Sequence, residues 1–356
     1  MAARGRRLAW LLLLFAAVGA GLAGCSTLGY YAQSVGGHLD LMRRARPVDE
    51  WLSDSATPAK LRERLLLTQQ IRDFAVKELK LPDNRSYRSY ADLGRGSAVW
   101  NVVATPELSL ELKRWCFPVL GCVGYRGYFD RAAAEALAKS LKDEGLDVNV
   151  YGVPAYSTLG WTNWIGGDPL LNTFIDWPEA QLARLVFHEL AHQVAYAAGD
   201  TTFNESFATA VERLGGERWR RQRGLSDADD AAFDRRRADF RALSARTRAA
   251  LEALYKSDVS DAHKRERKAE IFAAMRAELA RLKAESWGGY AGYDAWAQRA
   301  NNATLGVQAA YDELVPAFEK LFEREGRDFA RLHAEARRLA ALPQAERRDT
   351  LAAISR

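Results

Sequence analysis

The stretch LVFHELAHQVAYAAGDTTFNESFATAVE, residues 185–212, holds two of the chain's five histidines together with Glu189, Glu205 and Glu212. His188 and His192 stand four residues apart, so in a helix they share one face. The pattern predicts that helix from Pro178 to about Ala198, ending at Gly199. A second helix is expected from Asn204, a good N-cap residue, to Gly215-Gly216. The connecting AAGDTTF can fold the second helix back across the first, which brings Glu205 toward the two imidazoles.

Around this pair the chain reads as α+β, a small β-sheet ahead of a mostly helical C-terminal half. TPAKLRERLLLTQQIRDFAVKEL, 57–79, reads as a helix with Thr57 as cap and Pro58 in its first turn. AVWNVVAT and LDVNVYGV alternate and are valine-rich, as half-buried strands are, and between them Arg131 to Glu144 reads as a helix stopped by Gly145. VPAYSTLGW, 153–161, is either an edge strand that receives an extended peptide or a core strand with a tight turn. Leu225 to Trp287 has no glycine or proline and predicts a long charged helical hairpin broken near KSDVSD, and Pro316 interrupts the helices that follow. The expected parts are 1–24, 25–56 as a tether, 57–215 with the sheet and the His188 helices, and 216–356 as the helical part.

The amino terminus reads as a leader. Arg4, Arg6 and Arg7 precede an apolar run from Leu8 to Ala23, and Leu22-Ala23-Gly24-Cys25 has the form of a lipobox. Residues 1–24 are then a lipoprotein signal peptide and Cys25 carries the membrane anchor; Ser26 behind it favours the outer membrane, facing the periplasm. The full chain has a formal charge of +5, and without the three leader arginines it sits near +2, too little to argue for nucleic acid as a partner. Cys116 and Cys122 flank a turn with Pro118 and Gly121, and in an oxidising compartment they are expected to pair as a structural disulfide.

His188-Glu189-Leu190-Ala191-His192 is H-E-x-x-H. Two imidazoles on one helical face suit Zn²⁺, and Glu189, one residue after the first histidine, is placed as the carboxylate base beside the water that such an ion activates. A catalytic zinc takes a third protein ligand and keeps one position open. Glu205, thirteen residues after His192 and in the first turn of the next helix, is the candidate, and the helix dipole favours its ionised form. Glu212, two turns further along, and Asp200, in the connecting loop, are candidates to orient a histidine.

HELAH followed by NESFA resembles the gluzincin metallopeptidases, in which a glutamate on a following helix completes the zinc site, although the commonest members carry a longer insert between the two motifs. More closely, the lipobox, WCFPVLGCVGYRGYF, GVPAYSTLGW, FHELAHQ, FNESFAT and NNATLGVQAAYDELVPAFE resemble a bacterial family of predicted zinc aminopeptidase lipoproteins across nearly the whole mature chain. The resemblance implies a zincin-like fold and an envelope metallopeptidase whose substrates are peptides or proteins. His188, His192 and Glu205 would hold the zinc and Glu189 would be catalytic. Tyr311, inside a matching segment, is the first candidate to donate a hydrogen bond to the oxyanion, and Tyr293 the second. No GAMEN-like motif, which reads a free amino terminus in classical aminopeptidases, is present. Two alternatives remain at this point: a non-catalytic zinc-containing lipoprotein that binds an envelope partner, and a zinc amidase acting on cell-wall peptides.

Overall fold

The structure, a computed structural model, describes residues 29–117, 121–158, 166–225 and 227–355. The expected leader and Cys25 lie outside those residues. The chain is α+β, with three small sheets and a mostly helical second half. Helix α1 (29–44) leads into β1 (Arg46–Pro47), α2 (Val48–Ser53) and α3 (Ala59–Lys77). There follow β2 (Ser89–Ala91), β3 (Val99–Pro106), the hairpin β4 (Trp115–Phe117) and β5 (Gly121–Val123), β6 (Arg126–Tyr128), α4 (Arg131–Asp143), β7 (Leu146–Val153) and β8 (Leu170–Leu171). The site helices are α5 (Glu179–Ala191) and α6 (Thr201–Arg223). Next come α7 (Asp227–Lys256) and α8 (Asp261–Glu285), then α9 (Asp294–Arg299), α10 (Asn302–Asp312), α11 (Val315–Arg324), α12 (Phe329–Ala341) and α13 (Gln344–Ser355).

The central sheet is antiparallel, in the order β6-β3-β7. Val102 and Ala104 of β3 turn to one face and pack on Ala134, Ala138 and Leu141 of α4. Their neighbours along the strand turn the other way, as strand pleating requires, and there Asn101 faces Tyr151 across the ladder. A second sheet, β1-β2-β8, joins an antiparallel pair to a parallel one. The Cys116–Cys122 disulfide closes the β4–β5 hairpin.

One large core unites α3, α5, α6, α11 and α12 through Phe74, Phe187, Phe203, Phe207, Phe318 and Leu332. The α7–α8 hairpin has its own cluster around Phe240, Leu251, Phe272 and Met275. It is pinned to the strand ends by Lys268, which reaches Asp147 at 2.7 Å, and by Arg265, which reaches Glu107 at 2.8 Å.

Several helix ends differ from the sequence expectation. Helix α3 begins at Ala59 because Thr57 gives its hydroxyl to the Trp51 carbonyl at 2.6 Å and leaves the capping place to Pro58. Helix α5 ends at Ala191, well short of Ala198, and the chain tightens there as Gln193 and Val194 donate to Leu190 and Ala191. Helix α6 starts at Thr201 and runs straight through Gly215-Gly216, the place where a stop and a boundary between parts were expected. Those glycines serve packing: a Cβ on Gly215 would lie 2.6 Å from a Leu79 methyl, and one on Gly216 would lie 2.6 Å from the Arg184 side chain. Residues 154–158 of the VPAYSTLGW segment form no strand, and 159–161 lie outside the described residues. Pro316 marks the expected interruption: α10 ends at Asp312, and the proline sits in the first turn of α11.

His333, 2% exposed on α12, sits in this core beside Phe207 and Phe329. Burial lowers its imidazole to about 4, and the hydrogen bond to the Lys80 backbone only partly opposes that. The unfolded chain therefore binds a proton between the ordinary value near 6.5 and about 4 while the folded chain does not, so stability falls as pH falls through that window. The loss should approach about 3 kcal/mol by the lower end. Urea midpoints of the parent and of His333→Gln, followed from pH 7 to pH 4.5, should diverge, with the variant the less acid-sensitive. Parallel curves would remove His333 as the cause.

Candidate metal centre

The turn from α5 to α6 sets the geometry. Asn204, expected as a cap, instead lies in the first turn of α6, and its side-chain amide bonds Ala197 twice. It accepts from the Ala197 N–H at 2.7 Å and donates to its carbonyl at 3.0 Å. Asp200 is the actual N-cap and accepts from the Phe203 N–H at 3.1 Å. It also takes Arg347 and Arg348 of α13, each at 2.6 Å, so it does not orient a histidine. Arg347 is itself saturated by the carbonyls of Leu339, Ala340 and Leu342. From outside, the disulfide hairpin rests on this turn: Gly121 approaches Gly199 too closely for a side chain, and Arg114 bonds the carbonyls of both Cys122 and Gly199.

Glu205 consequently faces the histidines. Its Oε2 lies 3.4 Å from His188 Nε2 and 3.5 Å from His192 Nε2. All three donor atoms fall within 4.8 Å of one another and can hold a metal ion. Glu212, on the same side of α6, accepts from His188 Nδ1 at 3.2 Å, and its other oxygen takes Arg237 of α7 at 2.6 Å. That bond fixes one imidazole proton on Nδ1 and aims Nε2, the nitrogen that a metal ion would take, at Glu205. Among the described residues His192 Nδ1 has no partner.

Charge is crowded here. Burial opposes the carboxylate form of Glu205, yet His192 and His188 outweigh it and hold that carboxyl near 2. Burial likewise opposes Glu212, and Arg237 with His188 brings it to about 2. Glu189 goes the other way: burial raises its carboxyl above the ordinary range against the pull of the two histidines. A base tuned upward in this way is suited to proton transfer near neutral pH.

Phenols wall the cluster. The Tyr311 ring of α10 stacks on His188, with centroids 6.2 Å apart and planes 20° apart. Burial, and then the Glu205 charge, raise its hydroxyl well above the ordinary value, so it remains a donor. Tyr293, the second candidate, is elsewhere: it stacks on Phe240 at 3.9 Å in the satellite cluster. Tyr125, just after the disulfide hairpin, and Tyr151 of β7 both lie within the field of Glu205. Buried Tyr87 feels Glu189 above all other charges, and its backbone is left-handed, with φ 61°. These three, and Arg237, were missed in the sequence, where nothing separates a lining tyrosine from a core one.

Fold and site together define a helical α+β protein with a buried His–His–Glu cluster on two crossing helices. Over residues 29–351 the chain matches the family described as "Putative aminopeptidase", and it belongs to that family. No curated protein and no solved structure matches it.

Two substitutions probe this frame. Glu212→Ala is expected to weaken divalent-metal binding by about 10–100-fold, measured with zinc against a chromophoric chelator; an unchanged affinity would assign Glu212 to Arg237 alone. Asp200→Ala leaves buried Arg347 without its anion and should lower stability by about 3–5 kcal/mol. A urea titration checks it, and a loss below about 1 kcal/mol would mean that the three carbonyls suffice for the guanidinium.

Proposed function

We propose that the chain is a zinc-dependent peptidase of the cell envelope, acting as an aminopeptidase on peptides or proteins of the periplasm. The observation that carries this reading is the spacing of Glu205 Oε2 from the two imidazole nitrogens. A tetrahedral ion bonded at about 2.0–2.1 Å sets its ligands about 3.3–3.4 Å apart. Glu205 Oε2 stands 3.4 Å and 3.5 Å from the two imidazole nitrogens. Two imidazoles and one carboxylate also suit zinc chemically, and three protein ligands leave room for water.

His188, His192 and Glu205 hold the ion in this reading. Bound there, zinc would make water more acidic and would polarise the scissile carbonyl. Glu189 takes the proton from the attacking water on its carboxylate and delivers it to the leaving amine nitrogen. Tyr311 offers its hydroxyl hydrogen to the oxyanion as the carbonyl becomes tetrahedral. Glu212 keeps the His188 ring in register, with Arg237 behind it. The family match supports peptidase action, and the basic, apolar and Leu-Ala-Gly-Cys segments of the leader support the envelope.

A chain beginning at Ser26, assayed beside Glu189→Gln, tests the reading. Elemental analysis should find one zinc per chain in both proteins. Cleavage of a mixed peptide library, followed by mass spectrometry, should fall by about 10²–10⁴-fold in the variant. Products of the parent should be shortened one residue at a time from the amino terminus. A parent without zinc, or equal cleavage by both proteins, ends the proposal; internal cuts alone would keep the peptidase and discard the aminopeptidase.

A further inference from the structure

Helix α1 is built inside out. Its exposed face carries Tyr31, Val35 and Leu39, at 39%, 58% and 52% exposure, four residues apart and so in one row. Ala32 and Gly36 are exposed beside them, and no Asp, Glu, Lys or Arg occurs from Gly29 to Leu39. The polar side chains point inward. Gln33 accepts from the Phe129 N–H at 3.1 Å and donates to the Gly127 carbonyl at 3.4 Å. His38 faces the Tyr156 ring.

A helix on a water-facing surface has the opposite pattern, and α1 cannot correct this one by rolling. A Cβ on Gly37 would stand 2.1 Å from the Phe129 ring, so only this face of the helix fits so close to that ring. The row is thus held outward by the rest of the fold.

Position in the chain indicates what meets it. Gly29 follows Cys25 by four residues, a reach of at most about 14 Å. A lipid on Cys25 would therefore hold the first turn of α1 at the bilayer surface. Tyrosine suits the headgroup level. Arg43 and Arg44, exposed at the far end of the helix and sharing Asp40, leave a net positive charge there that suits anionic headgroups.

We propose that the Tyr31–Val35–Leu39 face of α1 lies in the headgroup–acyl boundary of the membrane and forms a second membrane contact beside the anchor. The inference rests on the envelope reading above. With two contacts the domain cannot swivel freely on its tether: α1 lies along the membrane, and β6, joined to it through Gln33, is held at that surface.

One acyl chain alone binds a membrane weakly, so a second contact is measurable. The chain beginning at Cys25, its thiol coupled to a single myristoyl-length maleimide lipid, is mixed with phosphatidylethanolamine–phosphatidylglycerol vesicles. Val35→Glu/Leu39→Glu should lower partition by about tenfold or more. Leu66→Glu, at an exposed apolar position on α3, should leave it unchanged. Peptide hydrolysis and thermal midpoint should match the parent in every variant, and Val35→Ser/Leu39→Ser provides a milder pair should the glutamates disturb α1. Partition equal to the parent in both pairs overturns the proposal. So does a concentration-dependent dimer that the same variants abolish with no change in partition, which would give the face to a second copy. Because the lipid is attached chemically, this outcome is independent of natural acylation, which the mass of the membrane-extracted protein reports separately.

Discussion

The double hydrogen bond between the Asn204 amide and the Ala197 backbone fixes how close α6 comes to α5. Everything at the centre follows from that approach. His188 belongs to α5 and His192 caps its end with helical dihedrals, so helical geometry still sets their separation. Glu205 belongs to another, and its distance from them is decided by a turn of nine residues, 192–200. Turns of that length have many shapes, and side-chain bonds to the backbone select one. Asp200, capping α6 and clamped by two arginines, fixes the end that Asn204 does not reach.

Around that frame the protein crowds three largely buried carboxylates, Glu189, Glu205 and Glu212. Anions so buried repel each other unless cations intervene. Arg237 serves Glu212, and the imidazoles serve Glu205. Glu189 receives least, which is why its carboxyl rises while the other two fall. Burial first, and the Glu205 charge after it, keep the phenols of Tyr125, Tyr151 and Tyr311 protonated. The large aromatic core beneath, from Phe74 to Phe318, supplies the stability that lets such a crowded arrangement persist.

What the sequence disclosed divides along lines of range. The four-residue spacing of His188 and His192 and the seven-residue spacing of Glu205 and Glu212 are local, and helical periodicity alone places each pair on one side. Alternation located β3 and β7 with nearly correct ends for the same reason. The errors arise where a distant residue decides. Gly215 and Gly216 read as a stop, but Leu79 and Arg184 press on them and make their smallness a packing requirement. Asp200 read as a partner for histidine because Arg347 and Arg348 are invisible from its neighbourhood. In sequence Tyr311 ranks ahead of Tyr293 only through the family-like segment that holds it; physically, the docking of α10 against β3 and α6 separates one that stacks on His188 from one that stacks on Phe240.

Asp200 and Arg347 are 147 residues apart. Closing a loop of that size is entropically expensive and kinetically slow relative to forming a local turn. Asn204 ties its own turn locally, whereas the clamp on Asp200 needs α13, which packs on α11. The centre thus joins contacts of two ranges: its histidines are placed by neighbouring residues, and the cap of its glutamate helix is held from the far end of the chain.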